Sequence, residues 1–280
     1  MGRFARSWDL FKTSLSVVLQ DKELLWMPVL SALASIVAVL AVTGVGLGSG
    51  LWPQTTNPDG TTNYAGAALA FVLYILLAFV TLFFNAAVVA GATERLKGGD
   101  PTMGSALGAA WKKAGRLFLW SIVVATVNVI LQAIRERSGA LGRILASLGG
   151  IAWNLATFFM VPVLIFEDDG LGRSVKRSAG LFKQTWGETV IGQAGLGLAG
   201  MVFTVAAVLV GLLVLFLLAP LGVVGLVTGI AVLVLGVVLV AALFSVLDGV
   251  YKAALYRYAT TGVAAGGFQP GQLGGAFAQK

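Results

Sequence analysis

Glu167-Asp168-Asp169 is the densest acidic cluster in this 280-residue chain, and it is followed by a glycine and a basic stretch. Adjacent carboxylates suit a hard divalent cation, and such a site could serve phosphoryl transfer to a lipid alcohol. That chemistry needs further aspartates a turn or two along the next helix, whereas the next acidic residue is Glu188. A carboxylate just before a helix is favoured by the helix dipole and by the unpaired N–H groups of the first turn. The expectation is therefore structural: Asp169 opens a helix and its neighbours pair with Arg173 or Lys176.

Three other patterns could do chemistry. Gly195-Leu-Gly197-Leu-Ala-Gly200 spells the dinucleotide fingerprint, but that motif works only between a strand and a helix with an acidic residue about 20 positions on. Here it lies within an uncharged apolar run, where glycines let helices approach. Asp248 is the one acidic residue near the interior of an apolar segment, and with Tyr251 and Lys252 close by it reads as an interfacial anchor. Asn85, Asn128 and Asn154, with Gln132, Thr157 and Gln193, are uncharged polar residues within apolar runs. Asn128 and Asn154 fall near mid-span and are, with Asn85 and Asp248, the candidates for a polar cavity. The chain has neither His nor Cys, which excludes imidazole base catalysis, thiol chemistry and Cys/His metal sites. No catalytic residue, cofactor site or metal site is expected, and no enzyme activity.

The elements that position these residues follow from composition. The chain is 58% hydrophobic and only 11% charged, with a mean hydropathy of +0.92, against about 25% charged residues in soluble domains. It reads as an all-α polytopic membrane protein. Uncharged stretches run over Leu24–Leu51, Tyr64–Thr93, Leu117–Ile134, Ile144–Phe166 and Thr189–Leu247, and about 20 apolar residues suffice to cross a bilayer. The last stretch, 59 residues long, is too long for one crossing and contains one proline, Pro220. Dividing it there predicts six spans, with 1–250 a single transmembrane domain and 251–280 a cytoplasmic tail, flexible from about 262. The first span lacks a small-residue cleavage site and is expected to be retained. With both termini inside, 16 of 19 Lys and Arg lie on the cytoplasmic side, the positive-inside pattern. Arg135, Arg137 and Arg143 are its exceptions. The +7 net charge is thus a topology signal, and no nucleic-acid partner is expected.

Three connecting segments carry helical stripes beside basic residues. Phe4, Trp8, Phe11, Leu15 and Val18 recur on one face of 3–20, with Lys12 on another. Met103, Leu107, Trp111, Ala114 and Phe118 do so over 102–118, beside Lys112, Lys113 and Arg116. Leu171, Val175, Ser178, Phe182 and Trp186 do so over 171–186, beside Arg173, Lys176, Arg177 and Lys183. Basic amphipathic helices with aromatic residues lie at the headgroup level and favour anionic lipid. Three cytoplasmic interfacial helices are therefore expected, and Trp8, Lys12, Trp111, Lys112, Lys113, Arg173, Lys176, Arg177, Lys183 and Trp186 are the lipid-facing candidates. Each precedes a pair of spans, so the chain divides into units 1–92, 93–166 and 167–250. Gly222, Gly225, Gly229 and Gly236 form a smooth face on the last span, available to a neighbouring helix or to another subunit.

Ser-Trp-Asp-Leu-Phe-Lys with Asp-Lys-Glu-Leu-Leu-Trp-Met-Pro over 7–31, Phe-Phe-Asn-Ala-Ala at 83–87, the segment 167–188 and Ala-Leu-Tyr-Arg-Tyr-Ala at 254–259 resemble one family of uncharacterised bacterial and archaeal polytopic membrane proteins. The resemblance covers residues 3–260. It implies about six transmembrane helices and a prokaryotic inner-membrane location, and carries no activity. The expected function is non-catalytic: organising anionic lipids or partner proteins at the cytoplasmic membrane, with a transporter or channel for a small or amphiphilic solute as the alternative.

Overall fold

The computed structural model describes residues 3–51, 56, 61 and 63–264. Most of the uncharged connection 52–63 and the tail beyond 264 lie outside the described residues. The described chain is all-α, without strands. Its helices are α1 (Arg3–Gln20), α2 (Trp26–Gly48), α3 (Tyr64–Leu96), α4 (Met103–Lys112), α5 (Ala114–Arg137), α6 (Ala140–Ala156), α7 (Met160–Phe166), α8 (Leu171–Gln184), α9 (Trp186–Leu218) and α10 (Gly222–Thr261).

Five stretches are long and apolar enough to cross a membrane: Lys22–Gly48, Tyr64–Leu96, Ala114–Arg137, Ala140–Phe166 and Gln193–Thr261. The fifth, at 69 residues, is two helices. A 3₁₀ turn at Ala219–Leu221 holds Pro220, and Gly222 follows at φ +71°. Proline removes a helical N–H, and only glycine adopts that φ without strain, so the chain reverses there. α9 and α10 then pack antiparallel: a side chain on Gly211 would meet the Cα of Leu233 at 2.7 Å, and one on Gly229 the Cα of Leu215 at 2.6 Å.

Two sequence expectations need correction. The stripe over 102–118 is not one helix, because Lys113 leaves helical geometry (φ −110°, ψ +8°) between α4 and α5. The fourth span is not one helix either: it is interrupted at 157–159 between α6 and α7. Pro162 provides the reason, since it has no N–H to return to the carbonyl of residue 158 and its ring crowds that carbonyl. The freed N–H of Phe159 donates instead to the Ser178 hydroxyl of α8 at 3.0 Å, in a buried setting.

The chain forms two compact units, each discontinuous in sequence: residues 1–28, 91–103 and 184–280, and residues 29–90 and 104–183. In the first, α1 packs on α9 and α10. Phe11 meets the rings of Phe203 at 6.0 Å and Phe244 at 5.9 Å, and Val17 and Val18 are buried with it. Gly200, last glycine of the fingerprint-like run, makes room for Phe244, whose ring would stand 3.2 Å from an added Cβ. α10 continues to Thr261, and its last turns, including Tyr251, Leu255 and Tyr256, are buried. Arg95 closes this unit on the polar side. It binds both carboxylate oxygens of the buried Asp21 and donates to Asp100 at 2.7 Å.

Gly211→Val is expected to force α9 and α10 apart and destabilise the hairpin by about 1–3 kcal/mol, the usual cost of overpacking. Gly197→Ala, on the same helix but with nothing near the added carbon, should be close to neutral. Denaturant-induced unfolding of the two variants in mixed micelles measures the difference, and equal losses would refute the close approach.

Candidate functional site

The second unit carries two constellations of polar residues. The first surrounds the turn 167–170 between α7 and α8. All three acidic side chains meet a base: Glu167 with Arg177 at 3.0 Å, Asp168 with Lys113, and Asp169 with Arg173 at 3.1 Å. Each carboxylate is thus directed to a different cation, and the expected pairing is corrected: Asp169 itself takes Arg173, while its neighbours go to Arg177 and Lys113 rather than to Arg173 or Lys176. The hydrogen bond and charge of the Lys113 ammonium hold the Asp168 carboxyl below its ordinary range, with Arg116 adding to the pull.

Arg116 has the larger role here. Its guanidinium donates to the backbone carbonyls of Leu164 (3.2 Å), Glu167 and Asp169, and to the Ser174 hydroxyl at 3.4 Å. The last carbonyls of a helix have no intrahelical partner, and a planar guanidinium with five donors is suited to several at once. By residue type alone Arg116 stands with Lys112 and Lys113 as one more base beside the apolar stripe. The missed signal was a tight acidic turn between two helices whose carbonyls had no stated partner.

With this turn clamped, α8 is fixed by one face and free on the other. Ser174, Ser178 and Leu181 are buried, whereas Arg173, Lys176, Arg177 and Lys183 are exposed. Trp186, which belongs to the first unit, begins α9 and is 52% exposed. On α4, Ala106 and Ala110 are buried, while Trp111 is 72% exposed and edge-on to Phe83 at 6.1 Å. Lys112, beside it, is exposed. Among the described residues Lys112, Lys176 and Lys183 form no ion pair. An apolar groove of about 540 Å³ runs under Trp111, walled by Leu30, Ala34, Phe83, Phe84, Leu107 and Gly108. In the first unit Lys12 is exposed on α1, and the side chain of Trp8 lies outside the described residues.

The second constellation is a half-open polar cleft of about 420 Å³. α5 lines it with Asn128, Leu131, Gln132, Arg135 and Glu136, at the spacing of one helix face. α6 supplies Gly150, Trp153 and Asn154. Asn128 and Asn154 both line this cleft. Asn128 donates to the Tyr74 hydroxyl on α3 at 3.0 Å, and Gln132 to Glu136 at 2.7 Å. Trp153 is held by stacking on Trp120, with centroids 5.5 Å apart. Tyr74 and the Arg135–Glu136 pair were not foreseen here; a tyrosine within an apolar span, whose hydroxyl needs a partner, was the available clue. Asn85 and Asp248 do not line the cleft. Asn85 is half-buried on α3. Asp248 belongs to the first unit, where it accepts from Gln193 at 2.7 Å and pairs with Lys252 at 2.6 Å.

Residues 64–267 match the model of DUF6159, a family of unknown function. The chain belongs to that family. The match begins at α3, so the motif at 7–31 falls before it, whereas those at 83–87, 167–188 and 254–259 fall within it. No curated protein and no solved structure matches the chain. Family and apolar helices together make this DUF6159 member a multi-pass helical membrane protein.

Arg116→Ala should free the turn 167–170 and destabilise the unit by at least about 2 kcal/mol, since hydrogen bonds to a charged donor are worth about 1.5–3 kcal/mol each. Arg116→Lys should recover little, because an ammonium cannot reproduce the guanidinium fork. Limited proteolysis at the turn, with unfolding in mixed micelles, reads both. Full rescue by lysine would show that charge alone matters.

Proposed function

We propose that this protein is a non-catalytic organiser of anionic lipid in the prokaryotic cytoplasmic membrane. The observation that carries the proposal is the division of α8: a buried face of small and apolar residues fixes the helix, and four bases are exposed on the rest of it. Lys176 and Lys183, like Lys112 on α4, have no acidic partner among the described residues, so their charge is available to a phosphate. A base near an anionic membrane surface contributes about 1 kcal/mol. The groove beneath Trp111 fits an acyl chain whose headgroup meets Lys112, with the indole at the headgroup level.

In this reading the segments 3–22, 93–116, 167–188 and 251–264 face the cytoplasm, which supports the location through the placement of basic residues. The solute reading has the polar cleft of α5 and α6 in its favour, and substrate uptake by proteoliposomes is what it requires.

The lipid test is to purify the full chain in native-lipid particles and compare its bound lipid with the surrounding membrane. Anionic phospholipid should be enriched. The triple variant Lys112→Gln, Lys176→Gln, Lys183→Gln should lose most of that enrichment, about 3 kcal/mol of attraction in all. Unchanged lipid in the variant overturns the proposal. Orientation has a separate test, since the chain contains no cysteine. A single cysteine replacing Ala140 should react with an impermeant maleimide on intact cells, and one replacing Lys176 should not. The opposite labelling reverses the topology.

A further inference from the structure

The cleft between α5 and α6 is unlike a set of headgroup anchors. Its polar side chains run from Glu136 back to Asn128, eight residues or about 12 Å along the helix, and so reach well into the apolar span. Polar groups at such depth are costly unless they are hydrogen-bonded. Yet among the described residues the Asn154 amide has no partner, Asn128 uses one N–H toward Tyr74, and Arg135 forms no ion pair. Glu136 accepts only from the neutral Gln132 amide, so its charge is not neutralised. Gly150 lines the floor, where a Cβ would make only an ordinary contact with Leu131 at 3.8 Å. Trp153, locked by its stack on Trp120, provides one flat wall.

We propose that this cleft binds a small zwitterion. Arg135 holds the anionic group, Glu136 the ammonium, and the carboxamides of Asn128 and Asn154 the polar atoms between or beside them. A volume of about 420 Å³ suits a ligand of that size, and the Trp153 indole can carry the ammonium or an apolar portion on its face. An anion joined to an ammonium by a short linker exists both as a free solute and as the headgroup of an ethanolamine phospholipid. The site lies on other helices than the bases of α4 and α8, so it stands or falls separately from the anionic-lipid reading.

The test uses the full chain in micelles free of ethanolamine lipid, in two arms. Equilibrium dialysis measures binding of radiolabelled O-phosphoethanolamine, competed by inorganic phosphate and by ethanolamine. Native mass spectrometry measures retention of phosphatidylethanolamine against phosphatidylglycerol. In at least one arm the zwitterion should be preferred about ten-fold or more, the equivalent of one modest charge contact. Arg135→Gln should remove that binding, Arg135→Lys should keep part of it, and Glu136→Gln should leave an anion site that no longer favours the zwitterion. The triple lysine variant above should bind as wild type. Preference in the dialysis arm alone identifies a free solute, and in the mass-spectrometry arm alone a lipid headgroup. The proposal is overturned if neither arm shows a preference over the anion alone, or if both the Arg135→Gln and Glu136→Gln variants bind as wild type.

Discussion

A chain inside hydrocarbon has no water to complete its peptide hydrogen bonds, and every departure from helix must be repaired by the chain itself. This constraint accounts for most of what is specific in the molecule. Where the fourth span breaks at 157–159, the Ser178 hydroxyl receives the stranded Phe159 N–H. Where α7 ends, Arg116 gathers the carbonyls of Leu164, Glu167 and Asp169. Where α9 ends, the backbone itself supplies part of the repair: the Ala219 N–H donates to the Leu215 carbonyl and the Gly222 N–H to the Ala219 carbonyl. At the break in the fourth span and at the end of α7, a polar side chain thus completes the backbone hydrogen bonding.

The same residues also connect local structure to surface chemistry. Ser178 and Ser174 anchor α8 by its inner face, and the clamp of Arg116 and Lys113 fixes the turn before it. A loosely attached basic helix would present its charges in many orientations, at an entropic cost to any headgroup it met. Held as it is, α8 presents them in one. Burial of small hydroxyl residues on one side and exposure of lysine on the other are two aspects of a single arrangement.

Much of the helical plan was legible in the sequence, because hydropathy and proline act locally. The 59-residue uncharged run divides at Pro220, and Asp169 stands just before α8, although the pairing of its neighbours with Arg173 or Lys176 does not occur. The breaks at Lys113 and at 157–159 were not legible. The first leaves an uninterrupted apolar stripe, and the second depends on Pro162 acting on a carbonyl four residues upstream inside a run that is uncharged throughout. Arg116 was hidden for a different reason: its partners are backbone carbonyls, which leave no trace in residue identity. The cleft was half visible. Asn128 and Asn154 declare themselves by their polarity, whereas Tyr74, Arg135 and Glu136 join them only through the packing of α3, α5 and α6.

The turn at Ala219–Leu221 has a consequence for how the membrane domain is made. Three uncharged residues offer nothing that could be retained on the far side as a separate loop. Because Gln193 reaches Asp248, the outer ends of the two helices finish together on one face of the bilayer. The pair is therefore one antiparallel hairpin, in which neither helix can be displaced far without carrying the other.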